Sequence, residues 1–166
     1  MFQPTSIDAQ DKPTFYAALN TDLRTMLHTD HYWLTNTANA AALLFTRLPD
    51  LNWAGFYLLR QNELVLGPFQ GKLACTHIAL GRGVCGTAAA QRAIVVVPDV
   101  NKFPGHIACD SASNSEIVIP LIHGDRLLGV LDLDSPTLSR FDHHDQTGLE
   151  TFSRILIEST VWPNVW

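Results

Sequence analysis

The chain has no run of about 18 apolar residues, so no segment of it reads as a membrane-spanning helix. Its first residues, MFQPTSIDAQDKP, are polar and lack a basic start followed by an apolar stretch, which predicts no secretory signal. Internal repeats, low-complexity tracts and linkers are absent. Basic residues are few: 11 Lys and Arg against 16 Asp and Glu, a net charge of −5 spread along the chain. Without a basic surface, nucleic acid and anionic membranes are excluded as main partners. Cysteine is scarce too, with three residues at 75, 85 and 109 and no CxxC pair. The spacings of 10 and 24 match no common zinc pattern, although His77 and His106 could complete a four-ligand set. An odd cysteine count with no export signal predicts a cytoplasmic location and thiols that do chemistry.

What is present is enough for a globular fold. The chain has 166 residues, 46% of them hydrophobic and 16% charged. That composition predicts one domain over residues 1–166, with its core over 30–160, burying roughly two thirds of its unfolded surface.

Two helices are expected first. Pro13 suits a first turn, and Tyr16, Leu19, Leu23, Met26 and Leu27 recur at helical spacing over 13–28. Over 30–48, Asp30 is the expected N-cap, and Leu34, Ala38, Ala41, Leu44 and Leu48 the apolar stripe. The period then shortens. Residues 52–59 and 63–66 read as two strands, and 73–80 as an extended segment carrying Cys75. Glycines at turn positions over 81–86 lead into a short helix at TAAAQR, and 94–97 is a buried strand ended by Pro98. Residues 116–122 and 126–134 form a hairpin, followed by a helix capped by Asp142 with Asp145 three residues on. Hairpin-linked strands with terminal helices predict an α+β domain, an antiparallel sheet covered on one face.

The chemistry-bearing stretch is 98–120, PDVNKFPGHIACDSASNSEIVIP. It sets Cys109 in a polar loop too long for a simple turn, the kind of place where reactive groups sit on a rigid scaffold. Backbone donors there favour a thiolate, while neighbouring Asp110 opposes it. Cys85, between Val84 and Gly86, reads equally as a small buried hydrophobe. Strand alternation puts Asp132 and Asp134 on the face of Leu128 and Val130, and hairpin pairing brings Glu116 beside them. Three clustered acids repel one another, so at least one should keep its proton near neutrality; the alternative is a solvated sheet rim. Trp53 and His106 read equally as packing residues.

The stretches NTANAAALL (36–44), NWAGFYLL (52–59), ACTHIALGRGVCGTAA (74–89), VPDVNKFPGHIACDSASNSEIVIPL (97–121) and LLGVLDLDSP (127–136) together resemble the GAF-domain free methionine-(R)-sulfoxide reductases. The resemblance implies a GAF fold, a central antiparallel sheet with the N- and C-terminal helices packed on one face, and a homodimer. It implies that Cys109 attacks the sulfoxide sulfur, that Cys75 resolves the product as a Cys75–Cys109 disulfide, and that Cys85 is auxiliary. Glu116, Asp132 and Asp134 match the acidic residues of the substrate site, and Trp53 the aromatic against the substrate's methyl group. The activity implied is reduction of free L-methionine-(R)-S-oxide, with thioredoxin as external reductant and no metal or other cofactor. A protonated carboxyl fits this chemistry, because a bare oxide is a poor leaving group.

Two other readings stand beside it. Asn101-Lys102-Phe103 resembles the opening of a motif in cyclic-nucleotide-binding GAF sensors, but Pro104-Gly105 follows where an acidic pair is expected. A Cys75–Cys109 pair would also serve a peroxide-sensing switch, since sensor and reductase cysteines share one reactivity.

Overall fold

In a computed structural model of the chain, residues 11–28, 31–107 and 110–164 are described. Two helices, α1 (Lys12–Leu27) and α2 (Trp33–Arg47), precede the strands β1 (Trp53–Arg60), β2 (Glu63–Gly71) and β3 (His77–Ala79). Helix α3 (Gly83–Gln91) and β4 (Val95–Val97) follow, then β5 (Ser115–His123), β6 (Arg126–Ser135) and α4 (His143–Glu158). All six strands join one antiparallel sheet in the order β3-β2-β1-β6-β5-β4.

Helices α1, α2 and α4 bury one face of the sheet. Leu19, Leu23, Leu44, Leu149 and Phe152 meet Phe56, Ile117, Ile119, Leu131 and Leu133 there, all of them shielded from water. Both terminal helices are anchored locally. The Asp11 side chain accepts from the Thr14 N–H and caps α1, while Asp142 and Asp145 form the expected capping box of α4. α1 and α4 then pack so closely that a Cβ on Gly148 would enter the Tyr16 ring. The expected α+β architecture is present, with one addition. The opposite face is covered as well, by α3 and the segment before β3, over a smaller cluster that includes Trp53, Tyr57, Ile78, Val84, Val118 and Val130. This second layer positions the site.

Four expectations need correction. Helix α2 begins at Trp33 rather than at residue 30, its N-cap is Tyr32 with no side-chain cap bond, and Asp30 lies outside the described residues. Its buried face is Thr37, Ala40, Ala41 and Leu44, whereas Leu34 and Ala38 are exposed. Polar Asn36 and Thr37 disguise that face. Both are buried because their hydrogen bonds are met, Asn36 by donating to Thr160 Oγ1 and Thr37 by donating to the Trp33 carbonyl. Strand β2 continues past Leu66 to Gly71, since Gly67 and Pro68 fall at a bulge opposite Phe56 instead of ending the strand. Helix α3 starts at Gly83, so Cys85 lies in its first turn rather than in a glycine loop before it.

The fourth correction concerns the hairpin. Gly129 pairs with Leu121 and Leu127 with Ile122, leaving Leu128 as an extra, bulged residue. The bulge exchanges faces, so Leu128 joins the helical core while Val130, Asp132 and Asp134 face α3. Gly129 at φ 153° has room for no side chain, because a Cβ would overlap the Tyr57 carbonyl oxygen.

Candidate active site

Beyond the bulge, the pairing sets the acids. Glu116 lies opposite Asp134 and Val118 opposite Asp132, while Trp53 of β1 pairs with Asp134 from the other side. β5 and β6 therefore carry three carboxyls on the face under α3, and α3 lowers the Cys85 side chain onto them. Donor atoms of Cys85, Glu116 and Asp132 all lie within 4.8 Å of one another. The Cys85 thiol donates a long bond of 3.9 Å to Glu116 Oε1. His106 Nε2 stands 3.8 Å from Glu116 Oε2 on the outer side.

These groups line a pocket with Tyr57, Ile78, Arg82, Ile107, Asp110 and Ser113. One wall is aromatic. Trp53 stacks on Phe69 at 5.3 Å and on Tyr57 at 5.8 Å between ring centroids. The Tyr57 hydroxyl donates to the Cys75 carbonyl at 3.0 Å, which fastens the segment before β3 to the pocket. At the mouth, Asp110 accepts from Asn52 Nδ2, the Ala112 N–H and Lys72 Nζ. Those bonds, the Ala112 N–H foremost, hold the Asp110 carboxyl below its ordinary range.

The floor behaves in the opposite way. Glu116, Asp132 and Cys85 are only 4–5% exposed. The ion pairs of lysine and arginine among the described residues are made elsewhere, with Asp22, Asp99, Asp110, Asp142 and Asp145. Burial first, then the charges of Asp132 and Asp134, pushes Glu116 well above the carboxylate range. Burial and then Asp134 do the same to Asp132. For Asp134, burial outweighs a hydrogen bond from Ser113 and raises the carboxyl to about 7. Burial and the adjacent acids push the Cys85 thiol up, so it remains a thiol and a donor rather than a nucleophile at neutral pH. Burial likewise lowers His106, which faces Glu116 as a neutral imidazole. The floor is thus a buried store of protons, able to donate one to a basic oxygen or to accept a cation.

The structure brings together Trp53, Cys85, Glu116, Asp132 and Asp134. Cys75 is disulfide-bonded, just before β3, and Cys109 lies outside the described residues. The His77 side chain is directed elsewhere, its Nδ1 pairing with exposed Glu63 at 3.1 Å, so it joins no metal set with Cys85. Sequence reasoning missed Tyr57 and Ser113. Tyr57 was within reach, because alternation puts it on the face of Trp53 four residues earlier. Ser113 is one polar residue among several in its loop, and only the fold distinguishes it.

An antiparallel sheet with α1 and α4 on one face and a lined pocket on the other defines a GAF domain, and residues 20–157 match the GAF domain family. The free methionine-R-sulfoxide reductase of Escherichia coli (strain K12) is 53% identical over 139 residues, 84% of each chain. The protein of that name from Saccharomyces cerevisiae is 47% identical over 138 residues, 78% of this chain and 77% of its own. The X-ray structure of free methionine-R-sulfoxide reductase from Neisseria meningitidis, in complex with its substrate, superposes with a TM-score of 0.91 at 43% identity, over 96% of this chain and 95% of that one. The chain belongs to the GAF-domain family and, within it, to the free methionine-R-sulfoxide reductases.

Proposed function

We propose that the protein reduces free L-methionine-(R)-S-oxide to L-methionine. The observation that carries this reading is the uncompensated acid floor beneath an aromatic wall. A sulfoxide needs a proton on oxygen as its sulfur is attacked, and the substrate's ammonium needs a negative partner. Glu116, Asp132 and Asp134 together meet both needs, since a cluster that holds some protons and lacks others offers a donor and an anion side by side. The Trp53 wall suits the S-methyl group. A methionine within a polypeptide carries neither free charge, so the free amino acid is the preferred substrate.

In this reading the Cys109 thiolate attacks the sulfoxide sulfur and a carboxyl protonates the oxygen. The oxygen passes to Cys109 as a sulfenic acid, and methionine leaves. The Cys75 thiol then displaces that oxygen as water, forming a Cys75–Cys109 disulfide. Two electrons from a thioredoxin dithiol return both cysteines to thiols. Cys85 keeps its proton and acts as an auxiliary hydrogen-bond donor to Glu116. Dimerisation and a cytoplasmic location are part of the same proposal.

The test is single-turnover release of methionine from racemic free methionine sulfoxide by fully reduced protein, with the remaining substrate resolved by stereoisomer. Loss of the R form alone, abolished in Cys109→Ser, is the expected result. Consumption of neither isomer, or full activity in Cys109→Ser, overturns it. Cys75→Ser is expected to release about one methionine per chain and then stall.

A further inference from the structure

The pocket floor whose acids serve the proposed reaction also sets a sulfur donor beside their oxygens. Cys85 from α3, Glu116 from β5 and Asp132 from β6 aim one donor atom each at a common point, within 4.8 Å of one another. Asp132 is 5% exposed, and its Oδ1 is buried with no hydrogen-bond partner among the described residues. A buried carboxylate oxygen left without a partner costs stability unless a ligand supplies one.

We infer that this floor is a binding site for a borderline divalent cation of the Zn²⁺ class, held by Cys85, Glu116 and Asp132. A thiolate beside carboxylates favours zinc over magnesium or calcium, which take oxygen cages of six or more. Zinc bonds of about 2.0–2.3 Å would place the donors roughly 3.5 Å apart, so the set needs to contract by about 1 Å. Binding displaces the thiol proton and any proton on the two carboxyls, and no electron moves. The cation occupies the floor to which the proposed substrate would direct its ammonium, so zinc acts as an inhibitor, not as a cofactor. The donors come from three separate elements, which is why no spacing rule reveals them.

The site rests on donor geometry alone, so its test is independent of turnover. In protein oxidised until one thiol remains per chain, titration with Co²⁺ is expected to develop a saturable sulfur-to-cobalt charge-transfer band. Zn²⁺ should abolish that band at one equivalent per chain. Cys85→Ser should lose it, and Glu116→Gln should weaken Zn²⁺ binding by about tenfold or more in calorimetry. In the wild-type protein Zn²⁺ should raise Tm, which keeps the proposal open to refutation even if a variant fails to fold. No charge-transfer band, or Zn²⁺ binding of unchanged affinity in Cys85→Ser and Glu116→Gln, overturns the site. Loss of sulfoxide turnover with zinc binding intact would sink the reductase reading and leave the cation site standing.

Discussion

The molecule buries acids in two places and treats them in opposite ways. At the junction of α1 and α4, Asp145 is fully buried, yet its oxygens meet Lys12, Arg140, the Tyr16 hydroxyl and the Asp142 N–H. Burial pulls its neighbour Asp142 upward, but hydrogen bonds from Lys12 and from the N–H groups of Asp145 and His144 hold that carboxyl well below its ordinary value. Across the sheet, Glu116, Asp132 and Asp134 meet no lysine or arginine among the described residues and are pushed up. Fully partnered acids fix a helix pair. Acids without cationic partners keep protons, and protons held in a pocket are available for chemistry.

The sharpest way to break the contrast is to remove one partner from the satisfied cluster. Asp145→Ala strands Lys12 and Arg140 against α4 and is expected to cost about 3–5 kcal/mol in urea unfolding. The protein that remains folded should keep its turnover number. A cost under about 1 kcal/mol would mean that this network is ornamental. The same kind of change in the unsatisfied cluster should act in reverse. Glu116→Gln takes one acid out of the crowded cluster and leaves a neutral group of the same shape, so Tm should hold or rise, while kcat/KM should fall by about 10²-fold. A fall in Tm with normal kcat/KM would contradict the comparison.

The smallest effect is a slope with pH. Asp134 rises from an ordinary 3.8 to about 7 in the folded chain. Between those values the native state holds a proton that the unfolded state has lost, so stability is greatest below about 4 and declines as pH rises through 7. The decline is at most about 1.4 kcal/mol per pH unit for each retained proton. Asp142 works the other way: its contribution is complete above 3.8 and is lost as pH falls below it. Asp134→Asn should flatten the first limb and leave the second untouched. Parallel wild-type and variant profiles between pH 4 and 8 would refute the assignment.

Both clusters are partly legible in the amino-acid sequence. The capping box of Asp142 and Asp145 is a local signal, and hairpin pairing brings Glu116 near Asp132 and Asp134, although counting back from the turn alone would set it opposite Leu133; the bulge at Leu128 moves it opposite Asp134. Partners distant in sequence were not legible. Nothing local announces that Lys12 reaches Asp145, or that α3 lowers Cys85 onto Glu116, because side-chain spacing reports periodicity along one element and not contact between elements. Face assignment failed at one strand position for a related reason. Leu128 was put with Val130 by simple alternation, and a bulge shifts phase without leaving a clear mark in an apolar run. Asn36 and Thr37 misled the placement of α2 because their polarity is satisfied internally.

The bulge at Leu128 also bears on how this hairpin tolerates changes in length. One residue of β6 has no opposite number on β5, so the strand carries a spare between its turn and its acids. Deleting Leu128 would leave Leu127 and Gly129 facing their present partners in unbroken succession. The core would lose one fully buried leucine, while Glu116 would still lie opposite Asp134. One residue can therefore be lost at the bulge without moving the pocket, whereas a deletion between Leu131 and Asp134 has no slack to absorb it and would turn the acids away from the pocket.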